Sequence, residues 1–426
     1  MRLFSYSCFV LLYSFFISLP VYAQLGHVQV MDSLVRTIQM NIDGNSNVLP
    51  VICKDQAQTL NLSFDYMSHE YQRFTYHIEH CDFQGKLTED LFPSDYMYSI
   101  SEENCIDDYE YSTNTTVHYT HYSLQIPNQG LRPLASGNYL LTVEIENGVD
   151  EPQPVFRTYF AVLDPRTSIR PTMTTNTDLD WNQGNQQMSL EVNCNDLLIR
   201  DAAEEIQLVV MQNQRIDQSV YVTEPTSQNG NKLIWSHCKD LIFPAGNEYR
   251  KIEMLTTRYP GLHCDYIRWI EPYYRIILFN DEPRRNYLFD KDNNGFSVVR
   301  CEDSSTPEIE ADYALTHFTL MMPQNPMKDV YVFGGWTMFG DYANYVKMNY
   351  NKEKQAYEAD LLLKLGYYNY QYVFVDFGAS PFRGNLESTE GNFYQTENKY
   401  DVLVYYKPLG GRYQQLVGFI SFIYKP

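Results

Sequence analysis

The run His77-Ile78-Glu79-His80-Cys81-Asp82 gathers imidazoles, a thiol and carboxylates, the side chains of a metal site. On a helix, His77 and His80 would share a face. The preceding Phe74-Thr75-Tyr76 alternation predicts a strand instead, and there a separation of three sends the two rings to opposite faces. His118 and His121 carry the same odd spacing. A single-strand metal site fails on geometry at both places. Asp290-Lys291-Asp292-Asn293-Asn294-Gly295 matches the first half of a calcium loop, with its glycine at the sixth position. The twelfth position is Cys301, where a bidentate glutamate is required, and no helices are predicted on either side. A turn between strands at 286–289 and 296–300 accounts for the same residues. Asp107-Asp108-Tyr109-Glu110 offers carboxylates for acid–base work, which a hydrolase would need. Adjacent acids are nevertheless common in a chain this acidic, and no nucleophile elbow, P-loop or dinucleotide-binding glycine pattern accompanies them. Neither catalytic residues nor a cofactor is expected.

The elements that must position these groups read as strands from end to end. Phe74 to Ile78, Tyr139 to Ile145, Ile206 to Val210, Val330 to Phe333 and Tyr368 to Val375 are rich in β-branched and aromatic residues and bounded by turn clusters. Pro127-Asn128-Gln129-Gly130, Gln228-Asn229-Gly230 and Asp292-Asn293-Asn294-Gly295 are such clusters. The best helical pattern, 54–62, reads equally well as loop into strand. Gly137-Asn138-Tyr139, Gly246-Asn247-Glu248-Tyr249 and Gly366-Tyr367-Tyr368 recur at spacings of a domain, each leading toward a strand. Immunoglobulin-type sandwiches of about 100 residues often carry such a tyrosine corner, its hydroxyl pinned to nearby backbone. The chain is therefore expected to be all-β, with three tandem immunoglobulin-like or early-set β-sandwich domains. Breaks at Asp164-Pro165-Arg166 and at the polar stretch 302–309 place them at 25–164, 165–308 and 309–426.

Arg2, the apolar run 9–19 and Val21-Tyr22-Ala23 have the layout of a secretory signal peptide, residues 1–23, cleaved near Ala23. The mature chain is then expected in the periplasm, with no direct membrane insertion. A formal charge of −21 disfavours nucleic acid, which would need clustered Lys and Arg. Cys53, Cys81, Cys105, Cys194, Cys238, Cys264 and Cys301 are scattered without a CxxC, so the sequence leaves their pairing open.

Asp329-Val330-Tyr331-Val332-Phe333-Gly334-Gly335-Trp336, followed by Tyr357 to Leu363 and Gly366 to Val375, resembles the early-set modules of glycogen-branching enzymes and the AMP-kinase β subunit. Those modules stack sugars on exposed tryptophan, and Trp336 alone matches such a platform. Segments along nearly the whole mature chain resemble a second family, the plug protein of the Bacteroidota type IX secretion system. These are Asp107 to Thr116 with Tyr119-Thr120-His121-Tyr122, Leu131-Arg132-Pro133 with Ser136 to Tyr139, and Phe243 to Tyr249. Asp281-Glu282-Pro283-Arg284, Glu310 to Ala314 with His317 to Leu320, and Gly410-Gly411-Arg412-Tyr413 continue the order. The resemblance implies a non-enzymatic periplasmic protein, associated with the outer membrane. Its partner would be the large outer-membrane translocon barrel, whose periplasmic opening it closes when no cargo shuttle is bound. It carries over no catalytic, cofactor or contact residues. The alternative is a glycan-binding protein using Trp336 in the last domain, and a hydrolase built on Asp107, Asp108 or Glu110 ranks below both.

Overall fold

In the first sandwich, even-numbered residues of two facing strands meet. Leu60–Tyr66 buries Leu60, Leu62 and Phe64, and Phe74–Cys81 buries Phe74, Tyr76, Ile78 and His80. Phe64 lies edge-on to Phe74 and Phe156, with centroids 5.2 and 5.1 Å away. The computed structural model describes residues 25–101, 104–146, 152–302, 304–337, 345–379 and 383–426. The expected signal peptide, 1–23, lies outside them.

One sheet of this sandwich runs Val35–Ile42, Leu60–Tyr66, Thr120–Ile126, Asp108–Tyr111, all antiparallel. The other is built on Phe74–Cys81, Gly137–Ile145 and Gln153–Leu163. That second sheet does not stop at the sandwich. Leu163 pairs in parallel with Leu416, and the sheet continues through Gln415–Tyr424, Asn398–Tyr406 and Ile206–Gln212 to Val220–Val222. Its continuation forms one layer of the middle sandwich, under a sheet containing Ser168–Thr174, Asn185–Asn193 and Lys232–Trp235. Met188, Leu190, Trp235, Leu208, Val402 and Val404 fill the space between.

The last sandwich pairs Arg250–Met254, Gly366–Asp376 and Lys328–Gly334 in one sheet. Cys264–Ile270, Tyr273–Leu278, Tyr313–Met321 and Ala356–Lys364 form the other. Strand pairing therefore crosses the contiguous limits 165–308 and 309–426 twice. Residues 250–278 pair with the last sandwich, and residues 398–424 return to the middle one. The polar stretch 302–309 joins no two sandwiches. It leads through the short helix Pro307–Glu310 into a strand of the same sandwich. Asn398–Tyr406 is buried at every position, so it lacks the alternation that would tie it to one face.

Two of the three glycine–tyrosine motifs are pinned corners. The Tyr139 hydroxyl donates to the Ala135 carbonyl at 2.7 Å, and that of Tyr368 to the Lys364 carbonyl at 2.6 Å. At the first corner Gly137 has φ +134°, and a Cβ there would collide with the His80 ring. Tyr249 differs. Its ring packs with Phe333, Tyr345 and Val373, where the chain leaves the middle sandwich for the last.

Candidate functional site: buried junctions between sandwiches

His77 and His80 lie on opposite faces of Phe74–Cys81, as parity predicts, whereas His118 precedes the strand Thr120–Ile126 that carries His121. His80 points into the core, its Nδ1 2.9 Å from Thr88 Oγ1 and its Nε2 3.1 Å from the Ser136 carbonyl, and burial lowers its pKa. His77 lies outside, between Glu144 at 3.6 Å and Glu79 at 3.9 Å. His118 stacks on His69 with centroids 4.8 Å apart, while His121 turns to Asp65. Among the described residues, no three His, Cys, Asp or Glu side chains are grouped to hold a metal ion. Asp108–Tyr111 is an exposed edge strand whose register sets Asp108 opposite Ser123 and Glu110 opposite His121, an imidazole engaged by Asp65. The thiols of Cys53, Cys81, Cys105, Cys194, Cys238, Cys264 and Cys301 are all unpaired.

The turn at 290–295 faces inward. Asp292 accepts from the Tyr249 amide and from the Asn294 amide, and burial pushes its carboxyl up to about 6. The strand expected at 286–289 does not form, whereas Ser297–Val299 does. Trp336 is partly buried, 5.4 Å from Phe318 and 6.1 Å from Tyr368 between centroids, and its Nε1 lacks a hydrogen-bond partner. The tryptophans with open faces are Trp181, 73% exposed, and Trp269, 50% exposed. The polar turn around 176–182 was the only sequence signal for the first of these.

What the sequence did not reveal is a set of buried ionic junctions that tie the sandwiches together. The first joins the first sandwich to the last. Asp65, fully buried, accepts from Lys364 Nζ at 2.5 Å and Tyr313 Oη at 2.6 Å, and pairs with His121 Nδ1 at 2.6 Å. Lys364 Nζ also sits 4.2 Å from the Tyr119 ring centre and donates to the Glu308 carbonyl. Beside it, Asp312 accepts from the Thr116 and Val117 amides at 2.9 and 3.0 Å, and the Tyr119 hydroxyl donates to the Ala311 carbonyl.

A second junction centres on Arg250. Its Nε reaches Glu390 Oε1 at 3.1 Å, its Nη1 reaches Asp281 Oδ1 at 2.7 Å, and Arg284 Nε reaches Glu390 Oε2 at 2.7 Å. Tyr370 and Tyr372 both donate to Asp281 Oδ2 at 2.8 Å. Arg284 Nη2 donates to the Glu248 carbonyl, so this cluster reaches the crossing point between middle and last sandwiches. A third pairs Arg215 with Asp217 at 2.7 Å in the middle sandwich. Asp217 also accepts from Tyr345 Oη at 3.1 Å and the Gly384 amide at 2.9 Å, both in the last sandwich. Middle and first sandwiches are linked at the surface, where Arg412 reaches Asp95 at 2.5 Å, and inside, where Tyr405 Oη donates to Asn138 Oδ1 at 3.0 Å.

These junctions reunite segments that are far apart in sequence. Thr116, Tyr119, His121, Asp312 and Tyr313 share one cluster, and Glu248, Asp281 and Arg284 share another. Charged groups buried this way are tolerated because each is paired and hydrogen-bonded. Their geometry fixes how three sandwiches stack, and offers no arrangement of nucleophile, base and oxyanion donors.

One buried carboxylate in this region has a measurable consequence. Burial raises Glu248 from an ordinary glutamate value to about 7, against the hydrogen bonds it accepts from Tyr287 Oη at 2.8 Å and the Glu397 amide at 3.2 Å. The folded chain then holds a proton at Glu248 that the unfolded chain has released. Stability from this group is present at low pH and falls as pH rises between about 4.5 and about 7. The expected loss is on the order of 3 kcal/mol. Glu248→Gln should flatten this slope in urea titrations across that range; an unchanged slope would show that Glu248 ionises freely.

The comparisons now bear on identity. A family model described as the type 9 secretion system plug protein first domain matches residues 35–164. That segment ends one residue past the Gln153–Leu163 strand. No curated protein matches. Among solved structures, the crystal structure of a hypothetical protein from Parabacteroides merdae is 35% identical, with a TM-score of 0.88 over 94% of this chain and 100% of that one. The major pilin subunit BcpA of Bacillus cereus is 9% identical over 51% of this chain and 60% of its own, with a TM-score of 0.16. The first sandwich, residues 35–164, therefore belongs to the family of type 9 secretion system plug protein first domains, and a 35%-identical structure shares the fold of the chain almost end to end.

Proposed function

We propose that the chain is a periplasmic plug that docks on the periplasmic opening of the type IX outer-membrane translocon and closes it when no cargo shuttle is bound. The match of residues 35–164 to the plug protein first domain carries this reading. The buried junctions support it mechanically. Occlusion needs a body that keeps its shape when pressed against a pore, and ion pairs with both partners desolvated hold one arrangement of domains against others. Ordinary interdomain contacts would leave relative motion as the default. The role is steric, with reversible docking that excludes the shuttle, and it uses no chemistry of the chain's own.

The test is affinity purification of the tagged full-length protein from envelope extracts, read by quantitative mass spectrometry. A very large outer-membrane β-barrel should be enriched, and enrichment should fall when the shuttle is overproduced. Purifications that never enrich such a barrel would remove the proposal.

A further inference from the structure

We propose that the cleft between the middle and last sandwiches binds an uncharged, polyhydroxylated ligand, an oligosaccharide segment. The cleft encloses about 840 Å³, a size common to small-ligand sites. Its walls carry six amide side chains, Gln183, Asn185, Gln212, Gln218, Asn385 and Asn392, beside six charged ones.

Most of these amides are fixed at one end and have no hydrogen-bond partner at the other among the described residues. Gln212 Nε2 donates to the Pro244 carbonyl at 3.1 Å, Gln218 Nε2 to the Gly384 carbonyl at 2.9 Å, and Asn185 Nδ2 to Asp180 Oδ2 at 2.6 Å. Their carbonyl oxygens remain as acceptors. Asn392 Oδ1 accepts from the Gly246 amide at 3.1 Å and Asn385 Oδ1 from the Glu387 amide at 2.8 Å, which leaves both NH₂ groups as donors. A wall offering fixed acceptors and fixed donors together suits hydroxyl groups, each of which both donates and accepts.

Charge selects neither an anion nor a cation. The lining carries three acids, Asp180, Asp376 and Glu387, and three bases, Arg215, Lys328 and Arg383; Lys328 lies 3.2 Å from Asp376, and Arg215 is bound to Asp217. Two exposed rings adjoin the cleft in the chain. Trp181, 73% exposed, follows Asp180, and Phe377, 79% exposed, follows Asp376. Neither ring lines the cleft itself; each stands one residue from a lining position, where an exposed aromatic face can stack against the C–H side of a sugar that extends beyond the cleft. An extended peptide fits less well. It would seek an open strand edge, whereas Phe374 and Asn385 exchange both backbone hydrogen bonds, at 2.9 and 2.8 Å.

This inference does not depend on the plug reading, and its test uses the purified protein alone. Isothermal titration of the full-length protein with maltohexaose, cellohexaose and mannohexaose, plus an uncharged Gly-Ser peptide, is the experiment. Saturable heat is expected from at least one oligosaccharide. Trp181→Ala and Gln183→Ala, both at exposed positions, should each weaken it severalfold, up to about tenfold for the ring, with thermal unfolding unchanged. Three outcomes would overturn the assignment: no saturable heat from any oligosaccharide at millimolar concentration, affinity unchanged in both variants, or saturation by the peptide instead.

Discussion

Arg250→Met is expected to destabilise the chain by about 3–5 kcal/mol at neutral pH, the cost of leaving buried carboxylates without their shared cation. Glu390 is fully buried and Asp281 is 5% exposed, so water cannot replace the guanidinium for either. The loss is bounded because each carboxylate keeps other partners. Glu390 retains Arg284 and the Tyr372 amide at 3.0 Å, and Asp281 retains two tyrosine hydroxyls and His263 at 3.3 Å. The pH dependence distinguishes this mechanism from simple loss of packing. In the wild type, burial pushes Asp281 up, but His263, 3.3 Å away, and the charge of Arg250 outweigh it and hold the carboxyl below its usual range. That contribution is present above the ordinary aspartate pKa and is lost as pH falls through the depressed one. Without Arg250, Asp281 should take up a proton more readily in the folded chain. The variant's deficit should therefore shrink as pH falls toward about 4. Arg250→Lys keeps the charge without the fork that spans both carboxylates, so it should fall between. Urea midpoints at the two pH values give the answer. A deficit below about 1 kcal/mol, or one equal at both, would show that Arg250 acts as a packing residue.

Much of the local structure was legible in the residues, and most of the assembly was not. Alternation located the strands because one face of each meets a core, and parity separated His77 from His80 for the same reason. The corner tyrosines were readable because their hydroxyls bond only four residues back. Asp65 shows where such reasoning stops. Leu60, Leu62 and Phe64 claim the core face of its strand, so alternation assigns Asp65 to solvent, yet it is completely buried. The face opposite the first core is covered by the last sandwich, whose Lys364 lies 299 positions away. A carboxylate facing water and one facing a distant lysine have the same neighbours in sequence. Glu390 and Arg250, 140 positions apart, pose the same problem. The return of 398–424 to the middle sandwich was hidden because Val402–Tyr406 reads as a plain apolar run and the buried Lys399 and Asp401 before it read as surface positions. Trp336 was singled out by its motif, but openness of a ring depends on what the fold lays against it, here Phe318 and Tyr368.

Lys364→Met carries the argument for a single rigid block furthest. Alone it should cost about 3–5 kcal/mol, because Asp65 then keeps only Tyr313 and His121 in a space closed to water. Asp65→Asn alone should cost less. Burial already lowers the Lys364 pKa despite the neighbouring Asp65, and without that carboxylate the amine can lose its proton and stay buried as a neutral group. The double variant should recover much of the Lys364→Met loss, since an amide and a thioether chain strand no charge. A coupling of at least about 1.5 kcal/mol is therefore expected from the double-mutant cycle. Hydrogen exchange should place the damage. In Lys364→Met, protection should fall first at the amides of Thr113, Thr116 and Val117 and across Ile309 to Ala311, while Phe74–Cys81 in the first core keeps its own. That pattern means separation of sandwiches that each stay folded, and a plug so loosened should be captured with its barrel less efficiently than the wild type. Additive single effects, or protection lost evenly across the first sandwich, would mean that Asp65 and Lys364 support their own domains and do not lock one to the other.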